Sequence, residues 1–366
     1  MYERLEALAK VIVEYSLEIK PGQLLRIKAE PVAEPLVAAV FKQALMKGAH
    51  VSLDILMIDI IEFFFKNASD EQLKFVSPFK EMEVDRIDAY LGVWGTTNTK
   101  YLSGVDPIRQ QLFNKSMEPV MNRFFKRAAE GSLRWSGTQF PTQAHAQDAE
   151  MSLAEYEDFV YQAGHLHEDD PVRYWRGIEK EQARIVKILD QVDQVRVRAE
   201  GTDLTLRTGG RKWINCCGKE NFPDGEIFTS PIEDSVSGTV RFSFPAFLGG
   251  READGVRLTF KKGEVVEATA RKNEDFLTAM VNTDEGSRRL GEFAVGTNYE
   301  ITKFTRNTLF DEKIGGTFHM ALGAAYPETG GNNRSGIHWD MVCDLKTGGE
   351  IEADGKTIYR NGKFVI

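Results

Sequence analysis

The chain has 366 residues, with 46 lysines and arginines against 55 aspartates and glutamates and a net charge of −9. That length suggests about two domains, and 42% hydrophobic with 28% charged residues excludes a disordered or collagen-like chain. The acidic balance argues against a nucleic-acid partner, because a general binder needs a basic face to displace counterions.

Leu5, Leu8, Val11, Ile12 and Tyr15 recur at helical spacing with Glu3, Arg4, Glu6 and Lys10 among them, so residues 1–18 read as an amphipathic helix and not as a signal peptide. Pro21-Gly22 leads into a strand at 23–27. A helix follows at 33–47, with Gly48 at its C-terminal end. The pattern then predicts a strand at 51–55, a helix at 60–75, a buried strand at 89–94, a helix at 117–129 and a strand beginning at 133–135. The most apolar stretch, 51–65, is broken by Asp54, Asp59 and Glu62, so no membrane span is expected. Alternating strands and helices predict a parallel sheet covered by helices. No GxGxxG follows any of these strands, which removes the dinucleotide reading.

Residues 153–166 and 171–189 read as two helices. Beyond Asp190 the texture becomes β-rich: 195–198 and 205–207 alternate, 256–260 and 265–268 flank a hairpin turn, and one helix is expected at 275–292. The predicted fold class is α/β: an N-terminal α/β domain with a parallel sheet over residues 1–193, and a β-rich α+β C-terminal domain over residues 194–366. The three cysteines, Cys216, Cys217 and Cys343, form no disulfide framework and no CxxC pair. A reducing, cytoplasmic location is therefore expected.

Most of the chemistry-bearing residues lie in the second half. His338-Trp339-Asp340 would place an imidazole and a carboxylate on the same side of a strand, an arrangement suited to a divalent metal. His319 lies in a short apolar run between glycines, which permit close approach of backbone or ligand. Tyr326 follows at a turn, where a hydroxyl can donate to developing negative charge. Pro223-Asp224-Gly225 would set Glu226 at the start of a strand. Glu292 is expected at a helix C-terminus, an electrostatically poor place for a carboxylate unless a cation is near. His165, His167, Glu168, Asp169 and Asp170 read better as a solvated charge cluster than as a metal site. No GxSxG, HExxH or P-loop pattern is present.

The segments PDGE (223–226), RRLGE (288–292), GGTFHMALG (315–323), AYPE (325–328) and IHWD (337–340), in this order, resemble those of the M29 aminopeptidases. The resemblance spans essentially the whole chain. It implies a homodimer acting on peptides, with a catalytic C-terminal domain in which Glu226, Glu292, His319, His338 and Asp340 bind two divalent cations (zinc, cobalt or manganese). Tyr326 would assist catalysis, and Glu292 would take part either as a bridging ligand or as a base, with Glu226 the other candidate bridge. The 19 residues from His319 to His338 are fewer than in the family's best-known members, and this loop lies beside the metals. A competing reading keeps only His319, His338 and Asp340 as a facial triad for ferrous iron, as in ring-opening dioxygenases of the 2,5-dihydroxypyridine type, which resemble the same fold family. The presence of both Glu226 and Glu292 favours the two-metal hydrolase.

Overall fold

A computed structural model describes residues 2–366. The chain divides into two compact units. One comprises Met1–Tyr174 with Gly218–Pro223, and the other Trp175–Cys217 with Asp224–Ile366. The fold is mixed α/β.

In the first unit the short apolar strands form a wholly parallel sheet. Its order is His50–Ile55, Leu24–Ala29, Ala89–Trp94, Arg134–Gln139 and Asn221–Phe222. Helix Glu34–Met46 connects the first two strands in the chain and is followed by Gly48 at φ +80°, the left-handed conformation expected past a helix end. Two helices differ from expectation. The segment expected as one helix over 60–75 is two, Ile58–Asn67 and Asp70–Lys74, because Ser69 starts a new helix: its hydroxyl accepts from Gln72 N at 3.2 Å, and Gln72 Oε1 accepts from Ser69 N at 2.7 Å. The helix expected at 117–129 starts ten residues earlier, as Pro107–Ala129. Asp106 caps it by accepting from Ile108 N, and Pro119 lies inside it.

The second unit is built mainly from two antiparallel sheets. An eight-stranded sheet runs in the order Glu264–Thr269, Arg257–Lys261, Ser237–Arg241, Thr202–Arg207, Gln194–Ala199, Glu350–Ala353, Lys356–Arg360 and Lys363–Phe364. A five-stranded sheet has the order His338–Asp344, Thr317–Gly323, Leu290–Gly296, Glu226–Thr229 and Ile214–Cys216. Both sheets contribute to one hydrophobic core. Val197, Leu204, Leu206, Val240 and Leu258 join it from the first, and Phe293, Val295, Phe318, Met320, Leu322, Trp339 and Met341 from the second.

The expected helix over 275–292 ends early, at Val281. Asn282 caps its end, Asp284 braces the next turn by accepting from Ser287 N and from Gly336 N, and the chain then enters strand Leu290–Gly296. Glu292 therefore lies on a central strand and not at the expected helix C-terminus, so no helix dipole acts on it.

Candidate metal centre

The alternation of the five-stranded sheet puts apolar side chains on one face and the reactive ones on the other. Phe318, Met320 and Leu322 enter the core, so His319, Ala321 and Gly323 face away from it. Trp339 and Met341 enter the core, so His338 and Asp340 share the same outer face. The register then brings distant residues together. Ala321 pairs with Glu292 on one side and with Asp340 on the other, so the two carboxylates flank a methyl group. His319 pairs with Ala294, and Gly323 with His338. Small residues on this face leave room for the larger donors.

Two local irregularities aim the carboxylates. The pairing of Leu290–Gly296 shifts between Leu290 and Glu292, a bulge that lets Leu290 face the core while Glu292 faces the site. Glu226 begins its strand after Gly225, whose φ of +126° is open to glycine and whose Cβ would press on Asn298. Gln182, from helix Pro171–Leu189, then donates to the Glu226 carbonyl at 3.0 Å and to the Cys216 carbonyl at 3.0 Å, fixing the strand from below.

All five residues expected to bind metal converge. His319 Nε2 lies 3.6 Å from Glu226 Oε2 and 3.6 Å from Glu292 Oε1. His338 Nε2 lies 3.1 Å from Glu292 Oε2 and 3.4 Å from Asp340 Oδ1. Tyr326 joins them, its hydroxyl 3.5 Å from His338 Nε2 and its ring against Phe228 and His338.

The donor set fits divalent cations. His319 Nε2, Glu226 Oε2 and Asp340 Oδ1 are buried without a hydrogen-bond partner among the described residues. Leaving such groups unsatisfied is costly, and ligation removes the cost. The spacings agree: two donors each about 2.1 Å from a tetrahedral cation lie about 3.4 Å apart. His338 Nδ1 is 2.8 Å from the Ala324 carbonyl, to which it donates, and this leaves Nε2 as the electron-pair donor facing the carboxylates.

The electrostatics point the same way. Burial lowers the affinity of His338 for a proton, but Asp340 and Glu292 outweigh it and hold the imidazole up to about 12; Glu292 and Glu226 similarly raise His319 to about 9. Burial acts to raise Asp340 and Glu292, yet the two histidines pull both below the usual carboxylate range. These carboxylates demand positive charge, whether from protons on the imidazoles or from cations. Tyr326 is pushed far up, first by burial and then by Glu292 and Asp340, so its hydroxyl stays protonated.

Comparison with known proteins identifies the architecture. The sequence model of the thermophilic metalloproteases, family M29, matches residues 1–364. The chain belongs to the M29 family. Aminopeptidase 2 of Geobacillus stearothermophilus is 30% identical over 100% of this chain and 98% of its own length. Aminopeptidase T of Thermus aquaticus is 27% identical over 100% of this chain and 99% of its own. The structure of wild-type AmpT from Thermus thermophilus is similar with a TM-score of 0.86 at 25% identity, covering 99% of both chains.

Two residues of this M29 centre escaped the sequence reading. Lys313 is only 1% exposed, and its Nζ lies 3.2 Å from Glu226 Oε1 and 3.0 Å from Glu312 Oε2. Burial opposes its charge, but Glu226 and Glu312 outweigh it and raise the ammonium well above the usual lysine range. Glu312 is raised by burial and then by Asp340, with Lys313 pulling it down. Asp311-Glu312-Lys313 looks like a solvated charge run; its one distinguishing signal is its place just before the GGTFH strand. The other histidine cluster is divided. His165 is buried and stacks on Tyr174 at 3.9 Å, whereas His167 and Glu168 are exposed, so only the latter pair fits the expected solvated cluster.

Asp311 braces this segment by accepting from Thr305 N at 2.6 Å and from Thr305 Oγ1 at 2.9 Å. Burial raises its pKa to about 7. A carboxyl whose folded pKa exceeds its unfolded value holds its proton longer in the native state, so its contribution to stability falls as pH rises from about 4 to about 7. Asp311→Asn should therefore flatten the loss of melting temperature between pH 5 and pH 8 by several degrees. Scanning calorimetry of chelator-treated protein at the two pH values checks this; parallel profiles for variant and wild type would contradict it.

Proposed function

We propose that this M29 protein is a metalloaminopeptidase that releases N-terminal residues from peptides at a centre for two divalent cations. The observation that supports the reading best is the division of donors around Glu292. Its Oε1 faces His319 and its Oε2 faces His338, while Lys313 engages one oxygen of Glu226. Glu292 would thus be the carboxylate shared between the two cations. His319, Glu226 and one Glu292 oxygen form one donor group; His338, Asp340 and the other Glu292 oxygen form the second.

Cations bound there supply a water of lowered pKa and polarise the scissile carbonyl. The chain supplies the rest. Ala324 holds His338 in the tautomer that presents Nε2. Tyr326, protonated through the neutral range, donates to the oxyanion that develops on the carbonyl oxygen. The facial-triad alternative has no comparable support: such a site uses one carboxylate, whereas Glu226, Glu292, Glu312 and Asp340 all meet here.

Zinc, cobalt or manganese suits nitrogen and carboxylate donors of this kind. The protein is read as cytoplasmic, in keeping with three free cysteines. Among the described residues no helix is long and apolar enough to cross a membrane. The expected homodimer draws support from Met57, Ile60, Phe63 and Phe79, large apolar side chains exposed in the first unit.

The test is a panel of aminoacyl-4-nitroanilides assayed before and after chelation. Chelation should abolish cleavage, and add-back of zinc, cobalt or manganese should restore at least half of it. Full activity after removal of all metal would overturn the reading.

A further inference from the structure

The parallel sheet of the first unit carries a second cluster of polar side chains, made of none of the residues of the metal centre. Tyr90, Gly92 and Trp94 alternate along strand Ala89–Trp94 and so share one face, and the register puts Arg26 beside Tyr90 and Lys28 beside Gly92 on the adjacent strand. Asp54 stands next to Lys28 on its other side. Val84, Ile87, Val120 and Phe124 cover the beginning of this face, packing on Leu24, Tyr90 and Trp135. Lys28 and Trp94 come later in their strands, close to the C-terminal ends, and Trp94 is 45% exposed. The chain leaves strand Leu24–Ala29 for His50–Ile55 on one side and returns to Ala89–Trp94 on the other. In an open parallel sheet such a reversal opens a crevice at the carboxyl ends of the two strands, and ligands bind there.

The charges on this face do not balance. Arg26 Nε lies 2.7 Å from Glu83 and its Nη2 3.7 Å from Asp54, while Lys80 Nζ lies 2.8 Å from Asp54 and 3.4 Å from Glu83. Those two cations and two anions cancel. Lys28 is left over, half-buried and without an ion pair or hydrogen bond among the described residues. Burial and then the neighbouring Lys80 lower its pKa, so an anion placed beside it removes a cost that a solvated lysine does not carry.

Two further donors face the same space. The position a Cβ would take on Gly92 is 3.9 Å from the Tyr90 hydroxyl and 3.9 Å from Trp94 Nε1, and no other part of the fold comes closer than Tyr90 Cε1 at 3.6 Å. Neither donor is hydrogen-bonded to another described residue. Gly137 sets the position of Trp94: the indole lies so close across it that a Cβ there would fall 2.2 Å from Cη2. The outer side of the ring is left as a flat apolar platform. An ammonium, a phenol and an indole N–H thus surround a bare glycine, the residue that lets a ligand approach a strand closely. Lysine and tryptophan donate only, and a carboxylate accepts only. A single surplus positive charge matches one carboxylate better than a phosphate dianion.

We propose that this crevice binds a small organic monocarboxylate, its oxygens on Lys28, Tyr90 and Trp94 above Gly92 and its apolar body on the Trp94 ring. The site is separate from the metal centre and does not depend on the aminopeptidase reading.

The test is titration calorimetry of metal-loaded protein with hydrocinnamate, its neutral amide and inorganic phosphate. Wild type should bind the carboxylate at least about tenfold more tightly than the amide, and more tightly than phosphate; Lys28→Met should weaken the carboxylate by about tenfold or more. Carboxylate held at the metal centre binds equally to both proteins and drops out of the comparison. Gly92→Ala is the second variant and decides the matter if Lys28→Met does not fold. Its methyl group occupies the space proposed for the oxygens at ordinary contact distances, so the fold should survive while binding falls. Unchanged affinity in either folded variant overturns the proposal, as does the absence of binding by wild type at millimolar carboxylate. Tighter binding of phosphate overturns it too. A smaller assembly for Lys28→Met in sedimentation would show that these donors hold a second copy of the chain, and this also overturns the proposal.

Discussion

Glu292→Gln is expected to reduce turnover by about 10³-fold or more and to leave the centre short of at least one cation. The reason is geometric. Glu292 is the residue whose two oxygens approach two different imidazoles, at 3.6 Å from His319 and 3.1 Å from His338. An amide has the same shape but offers one acceptor oxygen and no charge, so it can complete one donor group at most. The fold should survive, because Glu292 faces away from the core and neighbouring Phe293 and Val295 still fill it. Metal analysis of the purified variant should give one or no ion per chain where wild type gives two. Two ions per chain with turnover within threefold of wild type would remove Glu292 from the bridging role.

Tyr326→Phe separates transition-state stabilisation from metal binding. The hydroxyl lies 3.5 Å from His338 Nε2, and the ring packs on Phe228 and His338, so phenylalanine preserves the packing and deletes only the donor. Loss of one such donor typically costs about 10²- to 10³-fold in kcat. KM should change little and both cations should remain, because a neutral phenol is a poor ligand for them. Loss of a cation from the phenylalanine variant would recast Tyr326 as a ligand.

The sequence made some of this legible and hid the rest for identifiable reasons. His338 and Asp340 were placed correctly on one face because two-residue alternation is a property of any strand, and Trp339 between them had to enter the core. His319 alone reads equally well as a satisfied core histidine, and only the neighbours Phe318 and Met320 entering the core turn it to the outer face. Glu292 was misplaced on a helix. Residues 282–289 carry no apolar side chain and include Gly286, so the break after Val281 is local and legible; reading the charged run through to Glu292 as helix overlooked it. Glu312 and Lys313 are hidden for a different reason. Adjacent charges usually mean solvent, and their burial follows only from the folded environment that places Glu226 beside Lys313.

The centre itself is tested most directly by anomalous diffraction from crystals of zinc- or cobalt-loaded protein. The account predicts two peaks per chain about 3–4 Å apart, one among His319, Glu226 and Glu292, the other among His338, Asp340 and Glu292. A single peak, or peaks at the His165 cluster with these five side chains bare, would contradict it.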